Sequence, residues 1–521
     1  MAEPIAIPGR LGDPCWTDAN LEATIRTVAA MGDESASRFL ATHAPITHVR
    51  IGDTDRTLSD AKVFESIARL SARENVVLVH GAPGTGKSHL INWVKLRYDH
   101  AVDSGELTGV LPVLVRRRTG SLKDALEQLV EQLPDRFHNY LEPVQSAIDR
   151  ISEKEARKKL ATELHLELGI RRDDAGKERL PRTIRHLAEA FHAEGFGAWL
   201  CREGGVIDRN IQQLISPSEI RDRESFPPFT AEEFRITNPQ QRSRGLNTDN
   251  VMRLIDELED EPKSAEQAAA LCNDSLRSAL RELMGLGNAA LSTILRRIRQ
   301  DLRKESTRLV LLIEDVSTLS VLDDEVVNAV EPQDDASLCD LTAVLGMTEQ
   351  AYQRLRDNQY QRIAGSGLIL SFPKDSSADA WVDDDAQIDR FVARYLNAAR
   401  LSELYVDQIA DRRRQSGDVE LSACDDCPVR EQCHAAFGAV ALDPDTVIGL
   451  FPFRPSTAHY LLDHLDAQQT GVRPTQRGLL DHVTKPVMRY VGALAEGERH
   501  ALTLPINRRP PTDWQTLSET F

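Results

Sequence analysis

Five short apolar runs divide the chain, and the segments between them are mostly amphipathic or charged. The runs are Val76–Val79, Val110–Val115, Leu309–Ile313, Leu341–Leu345 and Ser366–Phe372. Each is too short for a buried helix, and none shows the alternation of a half-exposed strand. Continuous apolar strands joined by helices are typical of a parallel sheet that is covered on both faces. The pattern therefore predicts an α/β fold.

The same pattern divides the chain into five parts. They are an N-terminal helical segment, a first part of the sheet, a long helical insertion, a second part of the sheet and a mostly helical C-terminal region, at 1–70, 71–135, 136–305, 306–375 and 376–521. Individual helices are predicted over Asp18–Met31, Leu58–Leu70, Ser88–Tyr98 and from a cap at Ser121 through Leu133.

Composition narrows the class of protein. The 521 residues carry a formal net charge of −18, which argues against a surface that is basic throughout. No apolar run approaches the length of a membrane span, and the first residues do not resemble a signal peptide. We therefore expect a cytoplasmic protein without membrane contact. Its seven cysteines are then reduced, so a cysteine cluster indicates metal binding before disulfides.

The first apolar run leads into a glycine-rich loop. The loop consists of Gly81, Ala82, Pro83, Gly84, Thr85, Gly86, Lys87 and Ser88. Strand, glycine-rich turn, Lys-Ser and helix form the phosphate-binding loop of nucleoside triphosphatases. Backbone N–H groups would surround the phosphates, Lys87 would supply a positive charge, and the Ser88 hydroxyl would ligate Mg²⁺. We expect ATP and Mg²⁺ here; the alternative is a degenerate loop without hydrolysis.

Hydrolysis also needs carboxylates at the end of a neighbouring strand. Glu314 and Asp315 directly follow the third apolar run. One carboxylate must hold Mg²⁺ or its waters, and another must orient the attacking water. The order here is the reverse of the usual Asp-Glu, which leaves the role of each residue open and permits slow hydrolysis. The alternative is an acidic pair that only caps a loop or helix.

Together these motifs resemble the AAA+ ATPases. The glycine-rich loop, the acidic strand end, a polar residue ending the next strand and a C-terminal helical lid come in the order of that family. The resemblance is clear over residues 71–135 and 301–375 and weaker over 445–495. It implies a P-loop NTPase sheet with a large helical insertion, a C-terminal helical lid, and a homo-oligomer in the ATP-bound state.

The resemblance also implies roles for three further residues. Thr348 ends the fourth run, where the family senses the γ-phosphate. Arg362 precedes the fifth run, which is the place of an arginine that reaches a neighbouring subunit's nucleotide. Arg477, favoured over Arg473, matches the lid arginine that contacts the γ-phosphate. The alternatives are a helix cap for Thr348 and solvated surface charges for the arginines.

A second chemical signal lies late in the chain, at Cys424, Cys427, Cys433 and the adjacent His434. Two thiolates separated by two residues can hold one tetrahedral ion from a single tight turn. We expect structural Zn²⁺. The second interpretation is an iron–sulfur cluster, and the third is three unliganded thiols. The cluster is considered because the spacing also looks like the cysteine trio of iron–sulfur exonucleases, which take a fourth cysteine from far upstream. The fourth ligand stays open among His434, His459, His464 and a distant cysteine such as Cys339.

Three basic stretches could contact the phosphates of DNA or RNA, at Arg116–Arg118, Arg296–Lys304 and Arg412–Arg414. The acidic total favours solvated helix faces instead, so DNA contact is an alternative rather than the first interpretation.

The resulting hypothesis is an ATP-hydrolysing motor or switch that acts on partner proteins or DNA. The Glu-Asp strand end, the long insertion and the late cysteines also resemble ATPases of bacterial anti-phage and DNA-modification systems, which implies partner proteins of a multi-component system. The alternatives are an assembly switch with little turnover, and a DNA-remodelling ATPase for replication or transposition.

Overall fold

All five predicted strands occur in one sheet of the computed structural model, together with two strands that were not predicted. The structure describes residues 6–25, 36–46, 49–52, 57–82, 84–116, 128–129, 131–140, 152–174, 182–215, 227–235, 249–283, 290–316, 327, 329–333, 335–353, 355, 367–372, 385–416, 421–465, 475–497, 502 and 504. The strands of the sheet are β1 (Val49–Ile51), β2 (Thr57–Leu58), β3 (Glu74–Gly81), β4 (Val110–Val115), β5 (Arg308–Ile313), β6 (Leu341–Thr348) and β7 (Leu368–Phe372).

The order of strands across the sheet is β2-β1-β7-β3-β6-β5-β4. The strands from β7 to β4 are parallel, whereas β1 pairs antiparallel with both β2 and β7. The α/β class and the mostly parallel sheet are thus confirmed. Strands β1 and β2 escaped prediction because three and two residues are too few to show a periodic pattern.

Alternate residues of the buried strands feed two apolar cores, one on each face of the sheet. In β3, Val76 and Leu78 belong to one core, while Val77 and Val79 belong to the other. All eight residues of β3 are buried. Burial on both faces explains why the strand appears in the sequence as an unbroken apolar run.

Helices cover both faces. Those before β4 are α1 (Asp18–Thr24), α2 (Ala36–Thr42), α3 (Asp60–Ala68) and α4 (Lys87–Asp103). Between β4 and β5 lie α5 (Glu153–Asp174), α6 (Arg182–Ala190), α7 (Glu194–Leu200), α8 (Val206–Ile215), α9 (Asp249–Asp260), α10 (Pro262–Leu283) and α11 (Ala290–Lys304). The described residues between β4 and β5 are therefore largely helical. Ser121 lies outside the described residues.

The remaining elements follow β6. They are α12 (Glu349–Gln353), α13 (Asp385–Arg400), α14 (Glu403–Ser416), α15 (Arg430–Phe437), the hairpin strands β8 (Ala439–Ala441) and β9 (Val447–Gly449), α16 (Thr457–Asp463), α17 (Gln476–Leu479), a π-helical turn (Leu480–Thr484) and α18 (Lys485–Ala495). Within the described ranges, no helix combines the length and the apolarity needed to cross a membrane.

The N-terminal segment packs against this C-terminal region. The Asn20 amide donates to the carbonyl oxygens of Ala399 and Leu401, at 2.7 and 2.8 Å. Lys485 forms an ion pair of 2.9 Å with Glu22. Helix α1 is thus held by α13 and α18, at the opposite end of the sequence.

Candidate functional site

The chemically distinctive residues of the sheet meet at one edge, where the parallel strands end. Gly81 and Thr348 are direct partners in the pairing of β3 with β6. The Glu314 backbone N–H donates to the Val115 carbonyl at 3.0 Å, which extends the ladder just beyond β5. Because β6 lies between β3 and β5, Thr348 stands between the glycine-rich loop and the acidic pair. Sequence order alone does not specify this neighbourhood.

The glycine-rich loop turns tightly into α4. Gly84 and Gly86 have φ angles of +81° and +100°, which side-chain-bearing residues rarely adopt. The Lys87 side chain is buried, and its Nζ donates to the carbonyl oxygens of Gly81 and Ala82, at 3.0 and 2.7 Å. The lysine ammonium therefore lies over the loop that carries it. Pro83 lies outside the described residues.

Asn92 connects the loop side of the site to the acidic side. Its Nδ2 donates to the Ser88 carbonyl at 2.9 Å and to Oε1 of Glu314. Glu314 is buried, Asp315 is half-buried and Ser88 is exposed. The sequence analysis missed Asn92, although its place four residues after Ser88 puts the two on the same face of α4.

Thr348 caps the short helix that follows its strand. Its Oγ1 accepts a hydrogen bond of 3.3 Å from the Ala351 backbone N–H. The cap named as an alternative is therefore present, but a hydroxyl that accepts can still donate its own proton. Next to it, Glu349 forms a hydrogen bond of 2.9 Å with His80, whose ring stacks on Tyr352.

The C-terminal helices approach the same loop. Thr475 caps α17 by accepting from the Gly478 N–H at 3.1 Å, and a Cβ added at Gly84 would lie 3.0 Å from its Oγ1. Arg477, the second residue of that helix, is exposed. The predicted helix therefore borders the loop through Thr475. Arg362 and Arg473 lie outside the described residues.

A buried polar group fixes the start of α4. His89 lies beside His43, with 2.8 Å between their ring nitrogens, and the other nitrogen of His43 is 2.8 Å from Asp60. Burial, together with the charge of His43, lowers the pKa of His89 to about 3. His89 is therefore neutral near pH 7 and acts in packing, directly next to the exposed Ser88.

The late cysteines form a second site, away from the sheet. One cavity is lined by the thiol residues Cys424, Cys427 and Cys433, and also by Cys15 from the N-terminal segment. The walls of the same cavity include Arg400, His434 and Phe451. Cys15 is the one cysteine at this cavity that was not predicted from the sequence as a metal ligand.

Electrostatics differ among these thiols. Burial opposes ionisation of Cys424, but the His434 side chain and the charge of Arg400 lower its pKa to about 7. Burial raises the pKa of Cys433 to about 11 and also raises that of Cys15. Cys15 and Cys433 are therefore protonated near pH 7. A cation that binds their thiolates would have to displace these protons.

The other candidates for a fourth metal ligand lie elsewhere. His459 is paired with Asp385 and Asp463, and His464 Nδ1 contacts the Tyr460 carbonyl at 2.8 Å. Cys339 is buried in the core on one face of the sheet. Across the part of the chain that the structure describes, no three His, Cys, Asp or Glu side chains converge closely enough to hold one metal ion. The predicted zinc site stays a prediction.

Two of the basic stretches contain arginines that face inward. Arg299 is buried and pairs with Glu74 at the start of β3. Arg413 is buried and donates to the carbonyl oxygens of Leu40 and His43. These two side chains hold helices in place, so they are not part of a surface for nucleic acid.

Comparison of the chain with protein-family models, with characterised proteins and with solved structures finds no match. Its function must therefore be inferred from the arrangement of its own residues.

Proposed function

We propose that the protein binds MgATP at the carboxyl edge of its sheet and hydrolyses it, as an AAA+-like motor or switch. The observation that supports this most is the convergence of three separate segments: the glycine-rich loop, Thr348 and Glu314 stand on adjacent strand ends. A structural loop alone would give no reason for a buried carboxylate and a buried hydroxyl beside it.

Each residue has a chemical task on this proposal. Backbone N–H groups at the start of α4 and the Lys87 ammonium bind the phosphates, the ammonium exchanging its present carbonyl partners for phosphate oxygens. The Ser88 hydroxyl and Glu314 hold Mg²⁺, which neutralises charge on the phosphates. Asp315 orients the attacking water, and Thr348 donates its hydroxyl proton to the terminal phosphate.

The Asn92 amide is a positioning group. By donating to both Ser88 and Glu314 it fixes the distance between the helix that carries the metal's hydroxyl ligand and the strand that carries its carboxylate.

The contact between Thr475 and the loop could transmit nucleotide binding to the C-terminal helices. A triphosphate on the loop would lie beside the start of α17, which the π-helical turn joins to α18. We infer that nucleotide binding and release move these helices, and that partner proteins or DNA respond to the movement.

Turnover separates a hydrolase from a switch that only binds. We expect steady-state phosphate release by the wild type in the presence of Mg²⁺, and a fall of about 100-fold in kcat for Glu314→Gln and for Asp315→Asn, with ATP still bound. Asp340→Asn is the matched control, because Asp340 lies at the opposite, amino edge, near Arg73 and Arg308. Tight ATP binding without turnover in the wild type would leave only the assembly switch.

A further inference from the structure

Strand β4 lies at one edge of the sheet, so only one of its sides pairs with another strand. Peptide groups on the outer side of an edge strand must find hydrogen bonds elsewhere. In this chain two glutamine side chains provide them. Gln132 accepts from the Leu114 N–H at 2.9 Å and donates to the Leu114 carbonyl at 2.7 Å. Gln128 accepts from the Arg116 N–H at 2.7 Å and donates to the Arg116 carbonyl at 3.0 Å.

The side-chain amide of glutamine suits this position because it carries a donor and an acceptor, as a peptide group does. Gln128 and Gln132 are four residues apart in helical backbone, which corresponds to a rise of about 6 Å. Leu114 and Arg116 are two residues apart in extended backbone, which corresponds to about 6.6 Å. Because the two spacings nearly match, the two amides together take the place of an eighth strand.

The helical turn that carries the glutamines is held by packing. The Leu133 N–H donates to the Leu129 carbonyl at 3.0 Å, and both leucines contact the core that also contains Val115. Gln128 is 1% exposed, and its own carbonyl accepts from the Gln132 amide at 2.9 Å. The glutamine pair is therefore part of the packed fold and not a surface contact.

The Gln128 bond continues through one peptide group to the acidic side of the nucleotide site. The Arg116 N–H and the Val115 carbonyl belong to the same trans peptide, so they point in opposite directions. The N–H donates to Gln128, whereas the carbonyl accepts from the Glu314 N–H at 3.0 Å. Hydrogen bonds in such a chain polarise and strengthen one another. Gln128 thus fixes the Glu314 backbone across the edge strand.

Glu314 is held from two sides. Asn92 on α4 donates to its carboxylate, and Gln128 acts on its backbone through β4. We propose that Gln128 is a positioning residue of the nucleotide site, which keeps Glu314 where its carboxylate meets Mg²⁺. This role rests on the proposed function, because it takes Glu314 as a ligand of the metal. Gln128 itself contacts neither metal nor nucleotide on this proposal.

The test begins with the backbone and compares Gln128→Leu with Asn273→Leu. The first variant keeps a side chain of similar volume but removes both bonds to Arg116. Asn273 is the matched control, because its amide pairs in the same way with the N–H and carbonyl of Phe229, at 2.7 and 3.0 Å. In residue-resolved hydrogen exchange we expect the Arg116 and Glu314 amides to exchange roughly tenfold faster in Gln128→Leu and at the wild-type rate in Asn273→Leu.

Nucleotide titrations then test the role in the site. We expect the wild type and Gln128→Leu to bind ATP equally in the absence of Mg²⁺. The Mg²⁺ concentration for half-maximal ATP binding should rise by roughly threefold to tenfold in Gln128→Leu and stay unchanged in Asn273→Leu. A purely structural role of Gln128 would lower ATP binding with and without Mg²⁺ alike.

Unchanged exchange of the Glu314 amide in Gln128→Leu would overturn the proposal, and so would faster exchange with an unchanged Mg²⁺ requirement. Gln128→Asn, whose amide is one methylene shorter, serves the same comparison if Gln128→Leu fails to fold. Rapid exchange of the Arg116 amide in the wild type would overturn the proposal without any variant. Absence of ATP binding by the wild type would instead contradict the proposed function, and the exchange rates would still show whether Gln128 holds the Glu314 backbone.

Discussion

The two candidate sites differ in how the chain builds them. The candidate nucleotide site centres on eight consecutive residues, and Thr348 and Glu314 lie at the ends of buried strands at the same edge of the sheet. The four-cysteine site joins residue 15 to residues 424–433, and its geometry exists only when the two ends of the chain are packed together. A site made of consecutive residues is visible in the sequence as a complete motif. A site formed by tertiary contacts shows only some of its residues as a motif.

The difference has a consequence for substitutions. Single changes in the glycine-rich loop should alter ligand binding while the two cores of the sheet stay intact. Changes among the four cysteines should alter stability and leave the nucleotide site largely unaffected. A substitution at one site that changed both ATP binding and stability would show that the two sites are coupled.

The largest effect on stability is expected from Cys433→Ser. The Zn²⁺ that the cysteine spacing predicts would restrict the unfolded chain as a disulfide does, so loss of one ligand should lower the free energy of unfolding by about 2–4 kcal/mol. ATP affinity at low temperature should change less than about twofold, because distant sites act independently. Chemical denaturation and nucleotide titration of the same preparation check both values. A parallel loss of ATP affinity would break the distinction between the sites.

A smaller effect is expected from Gly84→Ala. The φ angle of +81° strains any other residue by about 1–2 kcal/mol, and the new methyl group would press on Thr475 at 3.0 Å. ATP affinity should fall by roughly 10–30-fold. Gly105→Ala is the matched control: its φ is +76°, but nothing lies within 4 Å of the added carbon, and it is outside the loop. Equal ATP affinity in both variants would argue against the loop as the binding element.

Asn92→Ala should have the smallest of these effects. Loss of one hydrogen bond to a carboxylate costs about 1.5 kcal/mol, which corresponds to roughly a tenfold fall in kcat/KM. The Mg²⁺ concentration for half-maximal rate should rise. Asn75→Ala removes a side-chain bond to the Ala72 carbonyl at the amino end of β3 and should leave the rate unchanged. An unchanged Mg²⁺ dependence in Asn92→Ala would remove Asn92 from the proposed site.

The strands were predictable because burial on both faces leaves an unbroken apolar run. All of β4 coincides with its run, and β3 extends its run by two residues at each end. The order of strands was not predictable, because pairing between β3 and β6 joins residues far apart in sequence. The same limit concealed Cys15: nothing in the spacing of Cys424, Cys427 and Cys433 indicates where the fourth thiol lies.

Among the site residues, the glycine-rich loop and Glu314 stood out because each is a polar break after an apolar run. Asn92 and Thr475 did not, since an asparagine within a helix and a threonine at a helix cap have many structural uses. Their importance depends on what lies opposite them across the sheet edge, which only the folded chain shows.

Titration of ATP into the wild type and Lys87→Ala in the presence of Mg²⁺ tests the nucleotide site most directly. Lys95→Ala, on the same helix and paired with Asp99, controls for loss of a lysine. We predict binding by the wild type and Lys95→Ala, and a fall of at least about 100-fold in affinity for Lys87→Ala, because a charge partner of the phosphates is removed. Undiminished affinity in Lys87→Ala, or no binding by the wild type, would contradict the assignment.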